Sequence, residues 1–138
     1  MLKVLFIDDD PERHEYFKRN AKQANSPYGF VSVKHVWTHD DAVEALRTES
    51  WDVVYFDFDL NDHPHLNTSY ETGMYGRRKL NGEDIAVAMV QLDSSAWPKR
   101  CVVHSHNVGG ASLISKVLTK AGISHVVKEF SRTTGRDL

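Results

Sequence analysis

The stretch Leu2-Lys3-Val4-Leu5-Phe6-Ile7-Asp8-Asp9-Asp10 decides the fold: an apolar run of strand length ends abruptly in three carboxylates. The same pattern returns in Val53-Val54-Tyr55-Phe56-Asp57-Phe58-Asp59. Apolar runs this short read as buried strands. In parallel α/β sheets ligands bind at the C-terminal strand edge, where both acidic runs fall. Carboxylates gathered there repel one another and lose hydration, a cost that a bound cation offsets. An all-oxygen set suits a hard divalent ion, Mg²⁺ or Mn²⁺. Asp8, Asp9 and Asp57 are therefore candidate metal ligands, and the two strand ends predict a metal-assisted phosphate site. Asp10, which precedes Pro11, reads as a helix cap instead.

Strand patterns occur at residues 2–7, 30–37, 52–57, 100–105 and 124–128. Helical patterns fill the intervals. The first runs from Pro11 to Ala24 behind Asp10, with Pro11 where its missing donor costs nothing. The second covers Asp41 to Thr48, capped by Thr38 or Asp40, and the third spans Glu83 to Leu92, entered through Asn81-Gly82. The fourth spans Ala111 to Ala121 and stops at Gly122. Five strands alternating with four helices predict an α/β fold, a doubly wound five-stranded parallel sheet in one domain spanning residues 1–138. Two segments depart from the alternation. Residues 61–80 contain Pro64, Gly73 and Gly76 without a clear period and read as an inserted lid or mobile loop. After the fifth strand only residues 129–138 remain, so the final helix is missing or short. One face of the sheet is expected to be partly bare, and a homodimer is the simplest cover for it.

At 138 residues the chain can bury a two-sided core, and its formal net charge of -2 gives no global drive toward nucleic acid. The single cysteine, Cys101, excludes an internal disulfide and lies in an apolar run, so it reads as buried and inert. Without a leader pattern or an apolar run of membrane-spanning length, the expectation is a soluble cytoplasmic protein.

Asp8 and Asp9 after the first strand, Asp57 ending the third, Ser105 after the fourth and Lys128 before Glu129-Phe130 come in an order that resembles a response-regulator receiver domain, from Met1 to Phe130. Glu129 stands where that family carries proline. The resemblance implies a receiver-like sheet of the CheY and flavodoxin type, and a backbone carbonyl near Asp59 that completes the metal shell. Ordinary receivers have neither an insert like residues 61–80 nor a chain that stops short of a fifth helix. The runs Phe56-Asp57-Phe58-Asp59-Leu60, Asn81-Gly82-Glu83-Asp84 and Val103-His104-Ser105-His106-Asn107-Val108-Gly109-Gly110 are similar to a divergent branch, the cyclic-phosphate-processing receiver family. Phe58 replaces that family's histidine, and no proline follows Asn107. This resemblance implies hydrolysis or sensing of phosphates on nucleotides or RNA ends, within RNA repair or biological conflict systems.

Roles follow for the named residues. His104 offers an imidazole that transfers protons near neutrality, as phosphodiester cleavage requires. With Asp57 and Ser105 it forms the candidate catalytic set. Lys128, Ser105, Asn107 and the helix-opening Gly109-Gly110 are the candidate phosphate contacts. Strict strand alternation, however, aims His104 and Ser105 at opposite faces, which would leave His104 a buried strand residue and Asn107 only a cap. His63 with His65, and His104 with His106, form His-x-His pairs, making Zn²⁺ a minor alternative to solvated histidines. Arg77, Arg78 and Lys79 read either as a phosphate clamp or as a solvated basic run. Phe6, Trp37, Trp51 and Phe56 are assigned to packing. The leading reading is a metal-dependent phosphoesterase acting on, or binding, a cyclic phosphate of a nucleotide or RNA end. The alternatives are a phosphoacceptor receiver in which a kinase labels Asp57, and a non-catalytic nucleotide-binding or interaction module.

Overall fold

The computed structural model of the protein describes residues 1–24, 29–60, 70–73 and 76–138. Strand β1 (Leu2–Ile7) leads into helix α1 (Pro11–Gln23), strand β2 (Val31–Val36), helix α2 (His39–Thr48) and strand β3 (Val53–Phe56). After strands β4 (Tyr70–Gly73) and β5 (Gly76–Lys79) come helix α3 (Gly82–Val90), a 3₁₀ turn at Ser94–Ala96, strand β6 (Arg100–Val103), helix α4 (Val108–Ala121) and strand β7 (His125–Val127). Five strands form one parallel sheet in the order β2-β1-β3-β6-β7. The order reverses direction between β1 and β3, and such a reversal opens a crevice at the strand C-termini.

Period-two alternation sorts the core into two layers. Leu5, Ile7, Val54, Phe56, Cys101 and Val103 face α2, α3 and α4. Val4, Phe6, Val53, Tyr55 and Val102 face α1, through Phe17 and Ala21. Burial pushes the Cys101 thiol up to about 12, in keeping with an inert side chain. The caps match the sequence reading. Asp10 accepts from the Glu12 amide, Thr38 rather than Asp40 caps α2, and Gly122 ends α4 at φ 78°. Helix α4 starts at Val108, so Gly109 and Gly110 lie inside its first turn rather than ahead of it.

The insert is not structureless: β4 and β5 pair antiparallel, with Tyr70 opposite Lys79 and Gly73 opposite Gly76. His63 and His65 lie outside the described residues, as do the side chains of Arg77, Arg78 and Lys79.

The face expected to be partly bare is covered over Tyr55 and Val102, while Val126 on the same face stays 44% exposed. After β7 the chain turns back across α1, and Leu138, 6% exposed, packs with Phe17, Tyr55 and Val102. Asn20 of α1 clamps this tail. Its amide donates to the carbonyls of Arg132 at 2.9 Å and Thr134 at 2.8 Å, and its oxygen accepts from Arg136 Nε at 3.3 Å. The tail thus removes most of the uncovered face on which the dimer expectation rested, leaving only the β7 edge open.

Two glycines are fixed by close approach. A Cβ on Gly82 would stand 2.1 Å from the Asp57 carbonyl oxygen, and one on Gly110 would stand 2.2 Å from the Phe58 ring. Both contacts press a helix start against the segment that carries Asp57.

Asn20→Ala is expected to cost about 1–3 kcal/mol by removing a buried amide and its three hydrogen bonds to the tail, and to speed amide exchange across residues 131–138. Unchanged exchange there would mean that Leu138 alone holds the tail. Gly110→Ala is expected to destabilise by about 1–3 kcal/mol through overpacking. Chemical denaturation of Gly110→Ala, Phe58→Ala and the double variant should then give a clearly non-additive cycle; additive losses would refute the contact.

Candidate functional site

The parallel ladder continues one residue beyond three central strands. The Asp8 amide donates to the Val36 carbonyl, Asp57 to Ile7 and His104 to Phe56. This places Asp8, Asp57 and His104 side by side at the sheet edge. Ligand oxygens of Asp8, Asp9 and Asp57 lie within 4.8 Å of one another, with Asp8 and Asp57 buried and Asp9 half-buried.

The two buried carboxylates have different surroundings. Asp8 Oδ1 accepts from the Asp10 amide at 2.8 Å, and Oδ2 accepts from His104 Nε2 at 2.8 Å and Arg13 Nη1 at 3.4 Å. Burial alone would raise its pKa, but the hydrogen bond and charge of His104, the Asp10 amide and Arg13 outweigh burial and hold it low. Asp57 has weaker support. Burial and then the Asp8 charge push its carboxyl up to about 8, against the opposing pull of Arg13 at 3.5 Å and of the Ser105 hydrogen bond. One guanidinium meets three carboxylates, and Asp57 bears the imbalance.

His104 departs from its expected place at the mouth. It is fully buried, stacked on Phe6 with ring centroids 5.0 Å apart, and its Nδ1 has no partner. Strand alternation did send His104 and Ser105 to opposite faces, so His104 meets the acidic cluster only through Asp8.

Ser105 and Asn107 remain on the site side. Ser105 is 4% exposed, hydrogen-bonds Asp57 and accepts from the Asn107 amide. Asn107 caps α4 by accepting from the Gly110 amide at 2.9 Å, and its side-chain amide donates to Asp59 Oδ2 at 3.3 Å. Asp59 therefore braces the β6–α4 loop with its carboxylate, outside the converging three. Lys128 also departs from expectation. It follows Val126 on the tail side of the sheet, whereas Val127 lies on the α4 side near Ser105. Its side chain is 63% exposed, and its ammonium pairs with Asp137 of the tail at 3.7 Å. His104 and His106 diverge, one buried and the other exposed, so this pair offers no joint zinc site.

Three residues were missed in the sequence. Arg13 lies four positions after Asp9 in the first turn of α1, and helical side chains lean back over the preceding turn. That spacing was its signal. His14 shares the apolar stripe of Phe17 and Ala21, is 3% exposed and donates Nε2–H to the Asp8 carbonyl at 2.7 Å. Its Nδ1 meets His35 Nδ1 at 2.6 Å, and Trp37 stacks on it at 3.7 Å. Two facing ring nitrogens can share one hydrogen only when at least one of the rings is neutral. Burial first, then His14, accordingly hold His35 down at about 4.

The cluster fits a hard divalent ion. All its donors are carboxylate oxygens, and burial and the Asp8 charge drive the Asp57 carboxyl toward its protonated form, a cost that a bound cation would offset. Among the described residues no helix is long and apolar enough to cross a membrane.

No curated protein matches the chain. Solved structures share its fold. A CheY-like receiver domain from Methanospirillum hungatei aligns at TM-score 0.60 and 16% identity, over 96% of this chain and 85% of that one. The receiver domain of a LuxO repressor protein from Vibrio parahaemolyticus aligns at 0.60 and 17%, over 95% and 81%. A response regulator from Burkholderia pseudomallei, solved with a phosphorylated aspartate, a calcium ion and citrate, aligns at 0.62 and 14%, over 96% of this chain and 62% of that one. The model of the cyclic-phosphate processing receiver domain matches residues 3–120, most of the chain and every element that builds the acidic edge. This protein belongs to the cyclic-phosphate processing receiver family.

Proposed function

We propose that the chain binds a cyclic phosphate of a nucleotide or RNA end at its acidic edge and hydrolyses it with the help of Mg²⁺ or Mn²⁺. The observation that carries this reading is the convergence of Asp8, Asp9 and Asp57 on one point beside Ser105. Asp8, Asp9 and Asp57 would hold the cation, and a carbonyl near Asp59 would add to the shell. The cation would supply Lewis-acid neutralisation of the phosphate. Ser105 would donate its hydroxyl to a phosphate oxygen, and the first-turn amides at Gly109 and Gly110 would lend the positive end of α4. Asn107 would keep that turn in register through its bonds to Gly110 and Asp59. Water would add at phosphorus as one ester bond breaks, leaving a phosphomonoester and a free hydroxyl. His104 takes a different part from the one its chemistry suggested: through Asp8 it positions a metal ligand, and it touches no reacting atom.

The second reading is phosphoacceptance by Asp57. It is favoured by the buried carboxyl with Ser105 bonded to it, the arrangement a stabilised aspartyl phosphate needs. Incubating the protein with 2′,3′-cyclic nucleotides or with acetyl phosphate, with Mg²⁺ or Mn²⁺ present, separates the two. Hydrolysis of the first supports the enzyme, and an acid-labile adduct on Asp57 supports the switch. Metal-dependent binding with neither outcome would leave a nucleotide-binding module.

His104→Ala is expected to weaken Mn²⁺ affinity by about 10–100-fold, as loss of a ligand's supporting hydrogen bond does. The pH profile of whatever turnover remains should keep its shape. A lost ionisation with unchanged metal affinity would return His104 to the role of proton donor.

Asp57 also predicts a pH dependence. In the metal-free fold it holds a proton up to about 8, against 3.8 for the ordinary group. Its contribution to stability is therefore full below the unfolded value and is lost as the pH rises through the folded one. Metal-free Asp57→Asn should melt above wild type at roughly pH 8 and approach it in acid. Millimolar Mg²⁺ should raise the melting temperature of wild type but not of this variant. A wild type indifferent to Mg²⁺ and Mn²⁺ would sink the metal site.

A further inference from the structure

The cation that faces Asp57 is Arg13. Its Nη1 lies 3.4 Å from Asp8 Oδ2 and 3.5 Å from Asp57 Oδ2, between two of the carboxylates that would hold the proposed metal. A guanidinium and a divalent ion cannot share the same oxygens at contact distance, because like charges there repel strongly. Arg13 has somewhere else to go. Its Nε already lies 3.8 Å from Asp10 Oδ2, whose side chain is 43% exposed, and its Cζ lies 5.8 Å from the Phe130 ring. Asp10 is partly exposed and Phe130 partly buried, so both lie farther out than the buried Asp8 and Asp57. Lys128, meanwhile, is turned toward Asp137 on the opposite face from Ser105. A phosphate entering beside three carboxylates still needs a cationic partner besides the metal, and a planar guanidinium meets phosphate oxygens in pairs.

From this geometry, and resting on the metal-phosphate reading above, we infer that Arg13 holds the cation position in the metal-free protein and, displaced to the rim when the metal binds, becomes the phosphate-binding cation. Arg13 is thus a competitor of the metal and a partner of the phosphate. Those two roles have opposite signs in one variant, which a purely structural ion pair would not produce.

The test uses Mn²⁺ titrated by calorimetry into wild type, Arg13→Ala, Arg13→Gln and Lys128→Ala, followed by inorganic phosphate at saturating Mn²⁺. Circular dichroism of each variant checks the fold, and Arg13→Gln keeps a long hydrogen-bonding side chain in case Arg13→Ala does not fold. The Arg13 variants are expected to bind Mn²⁺ about tenfold more tightly, since a competing charge is gone. They should bind phosphate at least about tenfold more weakly, through loss of a charge-assisted pair. Lys128→Ala should change neither constant. Mn²⁺ affinity in Arg13→Gln equal to or below wild type would overturn the inference, as would phosphate binding lost in Lys128→Ala but kept in Arg13→Gln. Wild type that fails to bind Mn²⁺ would instead overturn the metal reading, and the inference with it.

Discussion

The crowding of Asp8, Asp9 and Asp57 at the end of β1 and β3 is the constraint on which the rest of the molecule depends. Two of these carboxylates are buried, and among the described residues Arg13 is the one arginine or lysine that pairs with both. Such a cluster persists because each acid receives separate support. Asp8 is held as an anion by His104, the Asp10 amide and Arg13, while Asp57 is driven toward its protonated form. The asymmetry is the ordinary result of placing like charges together in a desolvated pocket.

That support reaches well into the core. His104 spans β3 beneath Asp57 and stacks on Phe6, whose ring also stacks on Phe17 of α1. On the other side, the Asp8 carbonyl anchors His14, which in turn meets His35 on β2. The same aromatic layer that stabilises the fold therefore orients the acids, and a polar network that is fully engaged keeps a unique arrangement. His104 Nδ1, which has no hydrogen-bond partner among the described residues, is the exception.

The opposite side of the edge is set by backbone approach. Gly82 lets α3 start against the Asp57 carbonyl, and Gly110 lets α4 start against Phe58. Asn107 links the second of these starts to Asp59. Phe58 thus acts as a wedge between the β3 end and α4. The tail performs a comparable service on the α1 face, where turns pinned by Asn20 stand in for a fifth helix.

Much of this was legible in the sequence. The parallel sheet, its strand positions, the caps at Asp10 and Gly122 and the three converging acids follow from apolar periodicity and from carboxylates placed at strand ends, which are local patterns. What escaped were pairings between residues distant in the chain. The hydrogen bond of His104 to Asp8, the entry of Arg13 between Asp8 and Asp57, the turn of Lys128 toward Asp137 and the clamp of Asn20 on the tail depend on which elements become neighbours and which face each side chain takes. Alternation warned that His104 and Ser105 would part company, but not which of them would keep the site. The hairpin within the insert, paired from Tyr70 to Lys79, was missed because two short glycine-bounded strands carry no apolar period of their own. Residue type and spacing determined that an acidic edge would form. Only the tertiary structure decided which cation meets it, because that depends on side-chain direction in three dimensions and on the Coulomb energy of charges that the chain brings together from far apart.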